Sequence, residues 1–307
     1  NTMRRLGLRI TSAPTKEIVR IWTITPCSLG EIGGKQIMTK GFSRPFSPLG
    51  QSSLVAELPW RFGGDLLLIH FQADQAALNA HLPSPLLPSD KAGQAFLWSP
   101  NLVCYPTGCD PMSLNPVRTS YNVAVIAIPC KLNGVETLYS AYQWADKDWL
   151  VVLSWFLGAC SKLAVLEQSG THPLLPVASQ NAGIGSQIRR TVSRNGEKII
   201  DMSFSPAEVT SMDNMEFYLS SLPLTCERHI PDCSFPKSGR PLVHDLTQMV
   251  MSGTEFGEIL SGTADLQFMA ADNEELLPIQ PTSVLGGYTL PMGFTLEGVR
   301  SVYNYLE

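Results

Sequence analysis

The sequence has few charged residues and no excess of basic ones. Lysine and arginine number 22 against 27 aspartates and glutamates, the formal net charge is -5, and charged residues make up 16% of the 307 residues. A protein that binds nucleic acid needs a basic surface to neutralise the phosphates. The composition therefore excludes nucleic acid as an expected partner. With 44% hydrophobic residues, it instead predicts a globular protein with a large interior and room for an apolar cavity.

Paired ligand motifs are also lacking. The seven cysteines are scattered without a CxxC pair, and the five histidines form no HxH or HxxxH pair. These spacings predict neither a zinc site nor a disulfide framework, and reduced thiols in an intracellular protein are the simpler interpretation. The glycines at 183–185 and 286–287 lack the strand–GxGxxG–helix context of a nucleotide site. The sequence thus predicts no metal and no cofactor.

Long hydrophobic runs are missing as well. No run approaches the roughly 18 apolar residues that a membrane-spanning helix needs, and residues 1–20 lack the apolar core of a secretory signal. The expected location is the cytoplasm, with no membrane partner and an apolar small molecule as the substrate. The oligomeric state stays open, a homo-oligomer included.

Most of the chain predicts β-structure. Residues 1–50 mix glycine, proline and serine with basic residues, which predicts a partly irregular N-terminal extension, and residues 51–307 are expected to form a single domain. Short apolar or alternating runs bounded by turn residues indicate strands. These runs cover residues 65–71, 94–98, 121–130, 137–144, 149–156, 187–193, 198–204, 242–252, 263–269 and 297–305.

Two turns set the expected pairing. Asn133-Gly134 and Asn195-Gly196 join predicted strands at hairpin distance, which indicates antiparallel pairing. Helices are few and are expected at residues 74–80, within 161–168, and from 206 or 213 to 222. The predicted fold class is mainly β (α+β), a closed antiparallel β-barrel or cone with a few flanking helices, because closure removes exposed sheet edges.

The run over residues 139–164 is aromatic and almost free of charge until it reaches Lys162. A lysine flanked by Leu157 and Leu163 is expected to be poorly hydrated, and desolvation disfavours the charged form of an amine. Lys162 is therefore the first candidate for chemistry, since perturbed ionisable groups cluster at functional sites. The alternative is a lysine that ends a structural element and extends its amine to water, as most lysines do.

Ordered motifs from Pro59 to Glu307 resemble the acetoacetate decarboxylase superfamily. No single motif is diagnostic, and their order and spacing over most of the chain carry the resemblance, which implies that family's barrel. In chain order they are LPWRFGGDLLLIHFQADQAALNAHLPSPLLP at 58–88, YNVA at 121–124, KLNG at 131–134, GACSKLA at 158–164, ADLQF at 264–268 and GVRSVYNYL at 298–306.

The resemblance also shows four departures from the family's active site. Family members carry a Gly-Tyr-Pro-Lys-Lys-Leu stretch in which the first lysine forms a Schiff base and the second lowers its pKa, the usual illustration of a nucleophile activated by a neighbouring cation. Aligned without gaps, Ser161 takes the place of the nucleophile and Lys162 that of its helper. Two positions that are acidic in the family align with Val123 and with residues 96–98, where this chain has no carboxylate. The family's Gly-Arg-Glu stretch aligns with Leu153-Ser154-Trp155. These departures argue against decarboxylation of a small keto acid.

The departures remove charge and add apolar surface, which predicts a dry cavity suited to a large apolar ligand. Tyr121, Asn122 and Ser161 are the candidate catalytic donors beside Lys162. Plain core packing is the alternative for the aromatic candidates, because aromatic side chains dominate protein cores. The candidate substrate-binding residues are Leu97, Trp98, Val123, Tyr142, Trp144 and Trp155, and Tyr121 is also expected in the wall.

Three functions are compatible with these observations. The first is an enzyme of secondary metabolism that uses the barrel without covalent catalysis. Its cavity would fold a polyketide- or terpenoid-like substrate while Lys162 and the donors polarise a carbonyl, for a cyclisation, a pericyclic step or a related lyase or isomerase reaction. The second is a Schiff-base decarboxylase or aldolase-type lyase that uses Lys162. The third is a non-catalytic carrier of an apolar metabolite. A Ser161–Lys162 hydrolase is disfavoured, because adjacent strand residues face opposite ways.

Overall fold

The computed structural model describes residues 39–91, 93–109, 115–170, 174, 183–215 and 222–307. Residues 39–307 form one compact unit. Residues 1–38 of the predicted extension, which covers residues 1–50, lie outside the described residues. In the remainder of the extension, Lys40 pairs with Ser47 in an isolated bridge. No helix in the described ranges has the length and apolar character that crossing a membrane requires.

Strands dominate the described part of the chain, which has thirteen of them and two α-helices. The helices are α1 (Gln75–Asn79) and α2 (Asp148–Leu157), and short 3₁₀ turns occur at Pro116–Arg118, Met212–Asn214 and Leu277–Ile279. The strands are β1 (Trp60–Gln72), β2 (Leu87–Pro88), β3 (Gln94–Pro106), β4 (Ser120–Leu132), β5 (Val135–Ala145), β6 (Ser161–Leu163), β7 (Val165–Gln168), β8 (Ile188–Arg194), β9 (Glu197–Thr210), β10 (Leu224–Ile230), β11 (Val243–Phe256), β12 (Ile259–Phe268) and β13 (Ser283–Asn304).

Seven strands pair in a closed ring. Their order is β1, β3, β4, β5, β10, β11 and β13, and β13 pairs back to β1. Every neighbouring pair in the ring is antiparallel except β5 with β10. A second sheet leaves the ring at β13 and continues through β12, β9 and β8 to β7. The predicted mainly β fold is confirmed, and the ring leaves none of its seven strands without a partner on either side.

Both predicted hairpins are confirmed. Asn133 and Gly134 have φ values of 51° and 81°, and Asn195 and Gly196 have 54° and 86°. Two successive positive φ values are typical of type I′ turns, which Asn-Gly pairs favour because neither residue pays a large steric cost there. These turns connect β4 to β5 and β8 to β9.

Helix α1 begins where the sequence predicts a helix. The side chain of Asp74 accepts a hydrogen bond from the backbone N–H of Ala77 at 2.7 Å. An N-cap aspartate of this kind satisfies one of the donors that a helix start leaves unpaired. The prediction from Asp74 onward is therefore confirmed.

The run at 149–156, predicted as a strand, is helix α2, and that prediction is wrong. Its buried residues recur at helical spacing, with Leu150, Leu153 and Leu157 packed against the inside of the ring. Gly158 ends the helix with a φ of 100°, which a glycine adopts without strain. Apolar residues also occupy its exposed side, at Trp155 and Phe156, and they hide the period that would distinguish a helix from a strand.

The other two predicted helices also differ from the structure. The helix predicted within 161–168 is instead strands β6 and β7. Of the helix predicted from 206 or 213, residues 206–210 belong to β9, Met212–Asn214 is a 3₁₀ turn, and residues 216–221 lie outside the described residues. Strands β2 and β10 had no counterpart in the prediction.

Alternate residues of the ring strands face two different interiors. Leu66 and Val125 point to the inside of the ring, where they pack with other inward residues and with α2. Their neighbours Leu67 and Ile126 point outward and pack with Phe204 of the second sheet. This alternation is the period of two that every β-strand imposes on its side chains. A residue and its chain neighbour on a ring strand therefore belong to different compartments.

Candidate functional site

An apolar cavity of about 170 Å³ lies inside the ring, between the strands and helix α2. Aliphatic, aromatic and methionine side chains form most of its described wall, and no aspartate, glutamate, lysine, arginine or histidine contributes to that wall. Engineered cavities of roughly 150 Å³ hold a benzene ring. The cavity therefore has room for one ring without any movement of the protein.

Methionines give this wall room to adapt. The chain has ten methionines, and five of them line the described wall of the cavity. Methionine side chains are unbranched and flexible, so they can repack around ligands of different shape. A ligand larger than one ring is accommodated if these side chains move. They are Met212, Met215, Met249, Met251 and Met292.

Tyr121 supplies a neutral hydroxyl to the cavity. Its ring is buried on β4 against Phe62 and Trp149, with centroid distances of 6.3 Å and 5.5 Å. Burial raises the pKa of Tyr121 well above its ordinary value, and the neighbouring Cys104 and Asp146 raise it further. Its hydroxyl has no hydrogen-bond partner among the described residues. The group is therefore a neutral phenol that can donate to a ligand.

Cys104 lies beside this tyrosine without being a nucleophile. Burial raises the pKa of the Cys104 thiol to about 12. Because the thiolate is the reactive form, a thiol with such a pKa is inert near neutral pH. In the described ranges there is also no group of three or more histidine, cysteine or acidic side chains placed to hold a metal ion.

Gln143 and Ser154 form the second polar element of the cavity wall. Gln143 Nε2 donates to Ser154 Oγ at 3.0 Å, and both side chains are more than nine-tenths buried. Sequence analysis missed Gln143 and noted Ser154 only as a replaced family position. The sequence contains a signal for each as a polar residue in apolar surroundings. Gln143 is a lone amide in an aromatic strand, and Ser154 lies one turn after Leu150 on an apolar helix.

Three of the residues predicted from the sequence come together in the cavity: Trp98, Tyr121 and Val123. They lie on the inner faces of the neighbouring strands β3 and β4, where Trp98 pairs with Val125 and Leu102 with Tyr121. The indole N–H of Trp98 is buried and has no partner in the described part of the chain.

Other predicted residues face the second interior or the surface. Leu97, Tyr142 and Trp144 pack between the ring and the second sheet, and the Tyr142 hydroxyl bonds His81 Nε2 at 2.9 Å. Trp155 is half exposed and donates its indole N–H to the Ser161 carbonyl. None of these side chains lines the cavity. Strand alternation explains the placement of the first three, because each is adjacent to an inward-facing residue.

Asn122 also lies outside the cavity. Its backbone N–H and its side-chain amide both donate to the carboxylate of Asp146, at 2.9 Å and 3.0 Å. Asn122 follows Tyr121 on β4 and therefore faces the opposite way. The two neighbouring donors proposed from the sequence are thus separated by the strand itself.

Ser161 and Lys162 are separated in the same way. Strand β6 runs parallel to β5 with Ser161 beside Gln143 and Lys162 beside Trp144. Ser161 therefore lies on the inward-facing side of the sheet, where it is buried and its hydroxyl has no partner among the described residues. Ser161 itself does not line the cavity, whereas its neighbour Gln143 does.

Lys162 belongs to an ion-pair network on the outer side. Its Nζ donates to the Asn273 carbonyl at 2.6 Å and to Glu274 Oε2 at 3.0 Å. Arg194 donates to the other Glu274 oxygen at 3.1 Å. The Glu274 side chain is fully buried, whereas a third of the Lys162 side chain is exposed. The network joins β6 to β8 of the second sheet, and Lys162 does not line the cavity.

Lys162→Met is expected to reduce stability and to leave ligand binding in the cavity intact. Removal of one partner leaves the buried Glu274 carboxylate with Arg194 alone, which should lower the free energy of unfolding by about 1–3 kcal/mol. Denaturant unfolding measures this loss, and titration with acetophenone, a neutral one-ring ketone, measures binding.

The matched control for this prediction is Lys198→Met. Lys198 pairs with Asp201 on the surface and is 42% exposed, so its loss should cost less than about 1 kcal/mol. Weakened acetophenone binding in Lys162→Met without a change in stability would instead assign Lys162 to the binding site.

The comparisons with known proteins give one family. The family model described as acetoacetate decarboxylase matches residues 43–306. No curated protein matches the chain.

Solved structures also resemble the chain. The enduracididine biosynthesis enzyme MppR, complexed with the condensation product of pyruvate and imidazole 4-carboxaldehyde, has a TM-score of 0.78 and 23% identity, over 87% of this chain and 98% of its own. An acetoacetate decarboxylase-like enzyme from Sphingomonas wittichii RW1 has a TM-score of 0.76 and 22% identity, over 86% of this chain and 100% of its own. Acetoacetate decarboxylase from Legionella pneumophila has a TM-score of 0.67 and 14% identity, over 82% of this chain and 90% of its own. At these identities the similarity shows a shared fold.

Proposed function

Because the chain belongs to the acetoacetate decarboxylase family, we propose that it is a small-molecule enzyme of secondary metabolism that uses the family's barrel without covalent catalysis. Its substrate is a neutral, apolar, carbonyl-containing molecule of polyketide- or terpenoid-like character, and its reaction is a cyclisation or a related lyase or isomerase step. One observation carries the proposal: the described wall of the cavity offers neutral hydrogen-bonding groups and neither an amine nor a carboxylate.

The position of the two residues at 161 and 162 supports a noncovalent mechanism. Ser161 stands where the resemblance places the Schiff-base lysine, and a hydroxyl cannot form an imine. The Lys162 amine is engaged with Glu274 and the Asn273 carbonyl on the other side of the strand. An ammonium that donates to these acceptors has no free electron pair for attack on a ketone. This arrangement disfavours the Schiff-base lyase as the second candidate.

Tyr121 is the residue we assign to the carbonyl. Its hydroxyl donates a hydrogen bond to the substrate oxygen, which draws electron density from the carbonyl carbon and stabilises charge that develops on oxygen. A donor in a site without water contributes about 3 kcal/mol to the transition state. An apolar cavity that holds reactive ends together contributes roughly 7 kcal/mol or more. Cyclisation requires little beyond these two effects.

A structural relative supports carbonyl chemistry on this fold. MppR is described as a biosynthesis enzyme and is complexed with a condensation product of pyruvate and an aldehyde. The shared fold favours a biosynthetic role for this chain too. The described part of the wall carries no charged side chain, which favours a less polar substrate than pyruvate, because an unpaired carboxylate is costly to bury.

A non-catalytic carrier is the other candidate, favoured by the small number of polar groups in the wall. Incubation with acyclic polyketones and terpenoid ketones, followed by mass spectrometry and NMR of the products, separates the two functions. The proposed enzyme converts at least one compound to an isomeric or smaller product, whereas a carrier returns every ligand unchanged. Enzyme-dependent release of carbon dioxide from acetoacetate would contradict the noncovalent proposal.

Turnover of such a substrate should be nearly constant between about pH 6 and pH 9. No described wall residue is an acid, a histidine or a lysine, and the raised pKa of Tyr121 keeps the donating form present to higher pH than usual. The donor is lost only as the pH rises through that raised pKa. A lysine nucleophile would instead give a rate that increases with pH as the amine loses its proton. Initial rates across buffers, with the unfolding midpoint followed in parallel, decide between the two.

A further inference from the structure

Gln143 and Ser154 leave hydrogen-bonding functions unused inside the cavity. Gln143 Nε2 donates one of its two N–H groups to Ser154 Oγ at 3.0 Å. The Gln143 Oε1 acceptor and the Ser154 O–H donor have no partner among the described residues. Both side chains line the cavity and are more than nine-tenths buried. Buried polar groups are almost always paired in folded proteins, so the ligand is the natural partner for these two.

We infer that Gln143 and Ser154 form a subsite for a ligand hydroxyl, so that the substrate is an apolar molecule that bears an alcohol, a phenol or an enol in addition to its carbonyl. The ligand O–H donates to Gln143 Oε1, and the ligand oxygen accepts from Ser154 O–H. The inference rests on the proposed function only in taking the same cavity as the binding site.

A hydroxyl fits the pair better than other polar groups. One hydroxyl oxygen both donates and accepts, as the pair requires. A carbonyl would satisfy Ser154 and leave the Gln143 oxygen buried without a partner, which lowers affinity. A carboxylate or an ammonium would enter a wall without any opposite charge among its described residues, at a high desolvation cost. The pair therefore selects for a neutral group that is both donor and acceptor.

The subsite adds a second attachment point to that of Tyr121. Tyr121 lies on β4, whereas Gln143 lies on β5 and Ser154 on α2. Two separate polar contacts in an apolar cavity fix the orientation of a ring, because rotation of the ligand would break one of them. Orientation of this kind gives selectivity among isomers that differ only in the position of the hydroxyl.

The test measures binding of one-ring ketones by isothermal titration calorimetry. The probes are acetophenone, its 2-, 3- and 4-hydroxy derivatives and the three methoxy counterparts. We expect one hydroxy isomer to bind the wild type about tenfold more tightly than acetophenone. Its methoxy counterpart should lose that gain, because it has no proton for Gln143 Oε1.

Three variants test whether the gain in affinity for the hydroxy isomer comes from Gln143 and Ser154. Ser154→Ala and Gln143→Met should each abolish the preference for the hydroxy isomer over acetophenone. Ser140→Ala is the matched control, since Ser140 is buried on β5, the strand that carries Gln143, and does not line the cavity. It should keep the preference. Retained acetophenone binding in every variant shows that the fold and the cavity are intact.

Several results would overturn the subsite: no hydroxy isomer preferred by the wild type, a preference that survives both cavity variants, or no binding of any probe. These results are independent of turnover. If the protein prefers the hydroxy isomer and converts no substrate, the subsite is supported and the enzymatic proposal is contradicted. If it converts substrates without this preference, the enzymatic proposal is supported and the subsite is contradicted.

Discussion

Ser161→Lys is expected to give the protein an imine that the wild type cannot form. In the presence of acetophenone, sodium borohydride should leave a reduced adduct at position 161, and the wild type should show none. Ser161 is buried on the inward-facing side of β6, beside the cavity residue Gln143. A lysine placed there is desolvated, which lowers its pKa and supplies free amine. Intact-mass measurement followed by peptide mapping locates the adduct.

Two further variants make this result specific. Ser161→Met has nearly the length of lysine without the amine and should give no adduct. Ser161→Lys combined with Lys162→Met should keep the adduct, because the Lys162 amine is held by Glu274 on the opposite side of the strand. A wild-type adduct on Lys162 would establish the Schiff-base lyase in place of the noncovalent mechanism, whether or not the position 161 variants fold.

Tyr121→Phe is expected to lower the turnover number about a hundredfold on any ketone that the wild type converts. The substitution keeps the ring and its contacts with Phe62 and Trp149, and it removes the hydroxyl assigned to the carbonyl. Loss of one donor in a site without water typically costs about 3 kcal/mol in the transition state. KM should change less than tenfold, because the hydrogen bond strengthens mainly as charge develops on oxygen.

Tyr142→Phe is the matched control for this loss. The sequence places Tyr142 in the same wall as Tyr121, whereas the structure packs it between the ring and the second sheet, bonded to His81. Its variant should keep turnover within about threefold and lose only the stability of a hydrogen bond or two. If Tyr142→Phe also lost activity a hundredfold, the assignment of the site to the inner cavity would fail.

Local rules predicted most of the strands and two of their pairings. Asn133-Gly134 and Asn195-Gly196 are turn signals with a steric mechanism, and they placed β4 beside β5 and β8 beside β9 correctly. Helix α2 was missed because its valines and tryptophans favour strands locally. Burial against the inside of the ring overrides that preference. The ring depends on the pairing of β1 with β13, which no local signal specifies.

The candidate site was only partly predictable for a geometric reason. In the sequence, adjacent residues such as Leu97 and Trp98, or Tyr121 and Asn122, are indistinguishable as candidates for one site. Strand alternation sends one member of each pair into the cavity and the other away from it. Which member faces inward depends on the closed ring and on the second sheet outside it. Gln143 and Ser154 lie on different elements and meet only after α2 packs against β5.

The pairing that closes the ring joins two segments that lie far apart in the chain. The Thr289 hydroxyl on β13 donates to the Leu66 carbonyl on β1, across 223 positions of the chain. Contacts between such distant segments form slowly, since chain entropy is lost before they contribute stability. The pairing of β1 with β13 can form only after nearly the whole chain has been synthesised. Because both strands line the cavity, an apolar ligand that occupies it stabilises the closed barrel over states in which the two strands have not yet paired.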